Sequence, residues 1–192
     1  MTPHAFVINL DRDDQKLAKV ARRLADVNIP FERLPAVDGR RLQPEVTRRH
    51  CTPACATFCP PAAVGCFLSH KRAWQAVVDR GLPEAYVFED DVAFHPGAVD
   101  VIAAARRELP PDFDVMLLGC FTCEEEMVVE YLLGVARGVS PARTFSPHLT
   151  VPSQTFGSQA YLVSARGARR LLSALARMSA TVDWQMGAAM KL

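Results

Sequence analysis

Glu89, Asp90 and Asp91 stand in a row directly behind an apolar run, Ala85 to Phe88. Carboxylates this close raise one another's pKa and repel unless a cation or a hydrogen-bond donor holds them. A hard divalent ion with oxygen ligands relieves the repulsion, and Mg2+ or Mn2+ keeps positions open for phosphate oxygens. The pattern therefore points to carboxylates that hold a metal, a metal that holds a diphosphate, and a diphosphate that leaves. On an extended chain, side chains two apart share a face. Glu89 and Asp91 are thus expected at the metal, with Asp90 turned the other way. An acidic surface turn or a helix cap would use the same residues without any ligand.

The cysteines are a second set with chemical potential. Of six, Cys51, Cys55, Cys59 and Cys66 lie close together, and Cys120 and Cys123 form a C-x-x-C. Thiolates four to a site suit tetrahedral zinc, but C-x3-C-x3-C is not a common zinc spacing. Disulfides are disfavoured in a chain without a secretion signal. The expectation is unpaired or loosely paired thiols, with structural zinc through these cysteines as the alternative.

An alternation of short apolar runs with amphipathic stretches must position these groups. Ala5 to Leu10 reads as a buried strand, Asp13 to Val27 as an amphipathic helix with acids at its start, and Phe31 to Leu34 as a second strand. From Pro35 to Pro61 the pattern fades into a long, proline-broken loop with a turn at Asp38-Gly39. Gly65 to Arg80 reads as a helix closed by Gly81. The strand Ala85 to Phe88, a helix Ala98 to Leu109 and a strand Asp114 to Leu118 follow. Met127 to Leu133 fits strand or helix and is read as strand, Gly134 to Ser158 as loop, Ala160 to Val163 as strand, and Ala165 to about Met178 as a helix capped by Ser164. Strands alternating with helices favour an α/β domain with parallel neighbours, in which ligands bind beyond the carboxyl ends of strands.

Composition narrows the partners. In 192 residues with a formal net charge of +1, the arginines are scattered in pairs. A duplex binder shows a basic stripe or a high pI, so nucleic acid is not expected. No run of 18 apolar residues predicts a membrane span, and the opening stretch is too short for a signal segment. The expected place is the cytoplasm, with contact at the inner face of a membrane allowed.

Six blocks, in order, carry a resemblance. Phe6-Val7-Ile8-Asn9-Leu10-Asp11-Arg12, Pro35-Ala36-Val37-Asp38-Gly39, Gly65-Cys66-Phe67-Leu68-Ser69-His70 with Trp74, Phe88-Glu89-Asp90-Asp91-Val92, Phe156 to Ser164 with Gly167-Ala168, and Val182-Asp183-Trp184 span nearly the whole chain. Together they resemble glycosyltransferase family 25, the lipooligosaccharide and collagen galactosyltransferases. The cysteine-rich stretch is not a feature of that resemblance. Family members are usually longer, whereas this chain stops nine residues after Asp183, so the expectation is that part of the acceptor side is absent or that the chain is a trimmed or minimal form.

The resemblance implies a single GT-A-like (Rossmann-like) α/β domain over residues 1–192, with a mixed, mainly parallel central sheet flanked by helices. It implies a UDP-sugar donor, most often UDP-galactose, a glycan or lipid-linked acceptor such as lipooligosaccharide, and Mn2+ or Mg2+. Asn9, Asp11 and Arg12 would lie near uracil, ribose and diphosphate. Asp38 and Gly39 would approach the ribose, Ser69 and His70 the phosphate or sugar hydroxyls, and Gln159 the sugar pocket. Trp74 would stack on a sugar or fill the core. Glu89 and Asp91 would hold the metal, and Asp90 would contact the donor sugar or a backbone amide. Known members invert the anomeric centre, so a base is needed for the acceptor hydroxyl; Asp183, beside Trp184, is the candidate. A nucleotide-sugar or glycan-binding module without turnover is the alternative.

Overall fold

The computed structural model describes residues 3–119, 143–151 and 157–190. Cys120, Cys123 and the strand expected at 127–133 lie outside the described residues.

The apolar run at the start forms β1 (His4–Asn9), buried over nearly its whole length. Asp14 occupies the first turn of α1 (Asp14–Asp26), and Val20 and Leu24, one turn apart, are its buried contacts. β2 (Glu32–Pro35) lies parallel to β1, with Ile8 opposite Leu34. Pro35 is tolerated there because β2 is an edge strand and needs no further donor on its outer side. β3 (Glu84–Glu89) pairs parallel with β1 on its other side. After α5 (Ala98–Glu108) come β4 (Val115–Leu117) and the outlying hairpin of β5 (Arg143–Ser146) and β6 (Leu149–Val151). β7 (Ala160–Ser164) inserts antiparallel between β3 and β4. The five-stranded order is β2-β1-β3-β7-β4, with β7 alone reversed. The fold is the mixed, mainly parallel α/β sheet that the strand–helix alternation predicts.

Alternation along the strands divides the core into two faces. Phe6, Ile8, Ala85, Val87, Tyr161 and Val163 point to one side, where α4 (Pro61–Asp79), α6 (Ala165–Ala174) and α7 (Val182–Met190) pack. Ala5, Val7, Tyr86, Phe88 and Leu162 point to the other, against Val20 and Leu24 of α1 and Ala105 of α5. Among the described residues no helix is long and apolar enough to cross a membrane.

The region read as a long loop is largely helical. Asp38 caps a 3-10 turn at Gly39–Arg41, and α2 (Pro44–His50) and α3 (Pro53–Phe58) follow. The prolines taken as breakers are helix starters. Pro44, Pro53 and Pro61 each sit in the first turn of a helix, where the missing N–H would find no partner and the fixed φ suits the helix. For the same reason α4 begins at Pro61 rather than at Gly65. The segment is tied down by backbone bonds from Thr52 N–H to Met178 and from Met178 N–H to His50.

The cysteines also differ from expectation. Cys55 and Cys59 form a disulfide across α3. Cys51 is a free thiol buried in the core, and Cys66 is a free, half-buried thiol on α4. Cys55 and Cys59 are thus paired with each other, and Cys51 lies among apolar side chains.

Candidate functional site

The carboxyl ends of β1, β2 and β3 converge on one edge of the sheet, joined there by the start of β7. Glu89 N–H continues the antiparallel ladder by donating to Gln159 O at 2.8 Å. Gly157, at φ +85°, brings Ser158 and Gln159 round to this edge, and the Gln159 side chain folds back over Gly157. Asp183, in the first turn of α7, accepts the Gly157 N–H on Oδ2 at 2.9 Å. Asp183 therefore reaches the same loop that meets Glu89.

The strand alternation expected to align Glu89 with Asp91 ends at Glu89, because Asp90 and Asp91 lie in a turn. Glu89 sits on the α4 face. Its Oε1 accepts from Ser158 Oγ at 2.8 Å and faces His70 Nε2 at 3.4 Å. His70 is fully buried. Its Nδ1 lies 2.9 Å from Tyr161 Oη, which also accepts from Trp74 Nε1 at 2.9 Å. The site thus runs inward as a chain of polar contacts from Ser158 to Trp74. Burial alone would push the His70 imidazole down, but the Tyr161 oxygen, Cys66 and Glu89 outweigh it, and the net shift is well upward. Burial would raise Glu89, but the His70 imidazole beside it, helped by the Ser158 hydroxyl, holds its carboxyl below the ordinary value.

Asp90 points toward the α1 side. It accepts from Asn9 Nδ2 at 2.8 Å and lies 3.4 Å from Lys16 Nζ. The Asp90 charge raises the Lys16 pKa. Arg23 donates to the backbone oxygens of Asp91 and Val92. Asp91 itself is exposed, and among the described residues no side chain donates to its carboxylate. The three acids are therefore held apart by nitrogen partners. Glu89 and Asp90 are each met by protein groups, and the Asp91 side chain is exposed.

At the carboxyl ends of β1 and β2 lies a half-open hollow of about 300 Å³ lined by Leu10, Asp11, Arg12, Ala36, Asp38 and Arg41. Arg12 pairs with Asp38 across it, and Asp11 pairs with Arg33. Asp11, Arg12 and Asp38 are thus brought together at one rim.

Asn9, Gly39 and Ser69 are placed differently. Asn9 is 1% exposed; its amide donates to Asp13 O and Asp90 and accepts from Arg33 Nε. Its polar atoms are used in tying β1 to the acidic turn. A Cβ on Gly39 would lie 1.7 Å from Pro61 O, and one on Gly65 would lie 2.4 Å from Val37 O. Ser69 Oγ, also buried, accepts from Val37 N–H at 2.8 Å and donates to Gly65 O at 2.7 Å. Two motifs far apart in sequence, P-A-V-D-G and G-x-x-x-S-H, interlock backbone to backbone, and that contact fixes Asp38 at the rim of the hollow. His70, unlike Asp38, does not face the hollow; it faces Glu89.

Ser158, Tyr161 and Lys16 are site residues that the sequence reading did not single out. Period-two alternation along β7 places Tyr161 on the α4 face with Val163, and that signal was available. Ser158 and Lys16 carry no comparable signal, because each depends on a loop or helix approaching from elsewhere.

The model of "Glycosyltransferase family 25 (LPS biosynthesis protein)" matches residues 2–186. The chain is 32% identical over 181 residues to "Probable inactive glycosyltransferase 25 family member 3" of Bos taurus, covering 88% of this chain and 28% of that protein. It is 32% identical over 185 residues to the "Inactive glycosyltransferase 25 family member 3" of Mus musculus, with the same shares. It is 28% identical over 181 residues to a "Glycosyltransferase 25 family member" of Drosophila melanogaster, covering 88% of this chain and 27% of that protein. The chain therefore spans less than a third of the length of these relatives.

Proposed function

The chain belongs to glycosyltransferase family 25, and on that premise we propose that it moves a hexose, galactose foremost, from a UDP-sugar to a glycan or lipid-linked acceptor. The observation that carries this reading is the hollow at the carboxyl ends of β1 and β2, on the sheet edge where β3 also ends at Glu89. Open α/β sheets bind ligands at that end. In a GT-A-like arrangement the hollow takes the nucleoside. Asp38 and Asp11 meet ribose hydroxyls, and Arg12 and Arg41 offer positive charge to the diphosphate. The guanidinium fork suits phosphate oxygens in pairs.

The donor set bears on the metal. An ion of the Mn2+ or Mg2+ type needs oxygen ligands, and among the described residues Asp91 is the acid of the turn left open to one. Glu89 is engaged by His70 and Ser158, and Asp90 by Asn9 and Lys16. In this proposal Asp91 holds the hard ion on the protein side, and the ion supplies charge stabilisation to the departing diphosphate.

Transfer with inversion is one displacement. The acceptor oxygen forms its bond to the anomeric carbon as the bond to the UDP oxygen breaks, and the acceptor proton passes to a carboxylate. Asp183 is the proposed base. Its Oδ2 accepts the Gly157 N–H, an anchor that fixes the carboxylate at the loop beside Glu89. General-base help of this kind contributes about 10²–10⁴-fold.

A binding module without turnover is the second reading. The names of the Bos taurus and Mus musculus relatives favour it, as does the pairing of Glu89 and Asp90 with nitrogen partners. UDP release from UDP-galactose, with and without Mn2+ and acceptor, separates the two. Release that falls at least tenfold in Asp183→Asn and in Asp91→Ala supports transfer. Tight UDP-galactose binding with no release supports the module. Neither binding nor release of UDP-galactose contradicts both.

A further inference from the structure

Among the described residues, one group of side chains converges closely enough to share an ion, and it is not the run of acids. Cys66 Sγ, a ring nitrogen of His70 and a carboxylate oxygen of Glu89 all lie within 4.8 Å of one another. Helical spacing explains the first two: positions four apart on α4 stack on one face. Glu89, the last residue of β3, closes the third side. Two helical ligands and one strand-end ligand make a set that is both rigid and local.

His70 is the independent sign that the group has a ligand to hold. The ring is fully buried, yet Nε2 has no hydrogen-bond partner. Buried polar atoms are almost always satisfied, and an exception calls for an explanation such as an ion. Nε2 is aimed at Glu89 Oε1 at 3.4 Å without meeting hydrogen-bond geometry. Two zinc ligands at about 2.0–2.1 Å from the metal, set at the tetrahedral angle, lie about 3.3–3.4 Å apart. The separation fits two ligands of one ion better than a direct bond between them.

The other ring nitrogen is already arranged for that role. Nδ1 lies 2.9 Å from Tyr161 Oη, and Trp74 Nε1 donates to the same oxygen. Donation of Nδ1–H to an oxygen acceptor orients a ligating imidazole and fixes its tautomer. The hydroxyl oxygen of Tyr161 has two lone pairs, one for each donor. Charge also balances, since a thiolate and a carboxylate together neutralise a divalent ion in a site that is mostly buried.

We propose that Cys66, His70 and Glu89 form a binding site for one thiolate-accepting divalent ion, with Zn2+ the best match. Sulfur and imidazole ligands select zinc over manganese and magnesium, which prefer oxygen. Three protein ligands leave the fourth tetrahedral position to water or to an oxygen of a bound phosphate. The site goes beyond the proposed function: it shares no ligand with Asp91, and it does not depend on any donor sugar.

The test uses the whole chain and the metal alone. Purified protein is stripped with chelator, loaded with Zn2+ or Co2+, desalted, and assayed for metal content and for thiolate-to-cobalt charge-transfer absorption. The wild type is expected to retain about one zinc per chain and to show the charge-transfer band with Co2+. Cys66→Ser should lose the band and most of the zinc, with circular dichroism unchanged. Cys51→Ser and the double variant Cys55→Ser/Cys59→Ser should keep both. Glu89→Gln should weaken retention without removing the band. Tyr161→Phe, which touches no ion, should weaken zinc affinity by about 10–100-fold. A wild type that retains no zinc, or a Cys66→Ser protein that keeps wild-type zinc and the same cobalt spectrum, overturns the proposal. Metal that follows Cys51 or the Cys55–Cys59 pair instead also overturns it. Because no UDP-sugar is present, these outcomes are independent of whether transfer occurs.

Discussion

The two sides of the strand end after Phe88 hold the same kind of residue in opposite circumstances. On the α4 side, Glu89 enters a buried line of polar groups through His70, Tyr161 and Trp74. On the α1 side, Asp90 and Asp91 sit in a turn among Lys16, Arg23 and water. Three adjacent carboxylates are thus assigned different chemistry by the helix that each one faces. Burial of the His70 ring makes its contacts expensive to break, whereas the Lys16–Asp90 pair, with Lys16 half exposed, is cheap. The inner side is suited to hold structure or an ion, and the outer side to meet a mobile charged ligand.

The comparison is broken most severely at His70. His70→Ala leaves Tyr161 and Glu89 without their shared partner and is expected to cost about 3–5 kcal/mol, as for other broken buried charged pairs. Chemical denaturation measures it; a cost near that of a surface substitution would remove the distinction between the two sides. Ser158→Ala removes one donor to Glu89 and should cost about 1–3 kcal/mol in the same assay. Lys16→Ala, on the exposed side, should cost less than about 1 kcal/mol. Asp91→Ala should change stability by less than about 0.5 kcal/mol, while its effect on UDP release is the larger of the two. A reversal of the order between Ser158 and Lys16 would show that the outer turn, not the inner line, holds the strand end.

Acidity sharpens the same contrast. In the metal-free protein the folded His70 pKa lies above its ordinary 6.5, so its stabilisation is complete below pH 6.5 and is lost as pH rises toward the folded value. The folded Glu89 pKa lies below its ordinary 4.5, so its stabilisation is complete above pH 4.5 and is lost as pH falls. Stability measured against pH should therefore peak between those limits and decline on both sides. Glu108, held at about 2 by Ser146 and His148, adds to the acid limb. Glu89→Gln should flatten the alkaline limb, because it removes a partner that keeps His70 charged. An unchanged alkaline limb would mean that the two groups are not coupled.

Much of the fold was legible because hydrophobic period is a local signal. β1, α1, β3, α5 and β7 lie where the apolar patterns put them, within one or two residues. What escaped depends on context. Pro44, Pro53 and Pro61 read as breakers because a proline's effect depends on whether it falls first or later in a helix. The β5–β6 hairpin is mostly exposed and polar, so it has no apolar alternation to betray it. The Cys55–Cys59 pair was set aside on compartment grounds, although positions four apart on a short helix are close enough to join.

The candidate site was legible as a place more than as a set of contacts. The acids, Asp38, Asp183 and Gln159 gather at one sheet edge, as blocks at strand ends should. That Glu89 would turn inward was hidden, because it requires knowing where β3 stops and that Tyr161 and Ser158 come from a reversed strand. Gly39 and Ser69 were singled out for a ligand, yet their contacts in the fold are to backbone. Close approach between two chain segments uses the same small residues as close approach to a ribose.

The central claim is that a UDP-sugar lies along the carboxyl ends of β1 and β2 with its diphosphate directed to Asp91. The most direct measurement is a crystal structure with UDP-galactose and Mn2+. The account predicts uridine between Leu10–Arg12 and Ala36–Arg41, with the ion on Asp91. Uridine elsewhere on the sheet, with the Arg12–Asp38 rim empty and Asp91 facing only water, would contradict it.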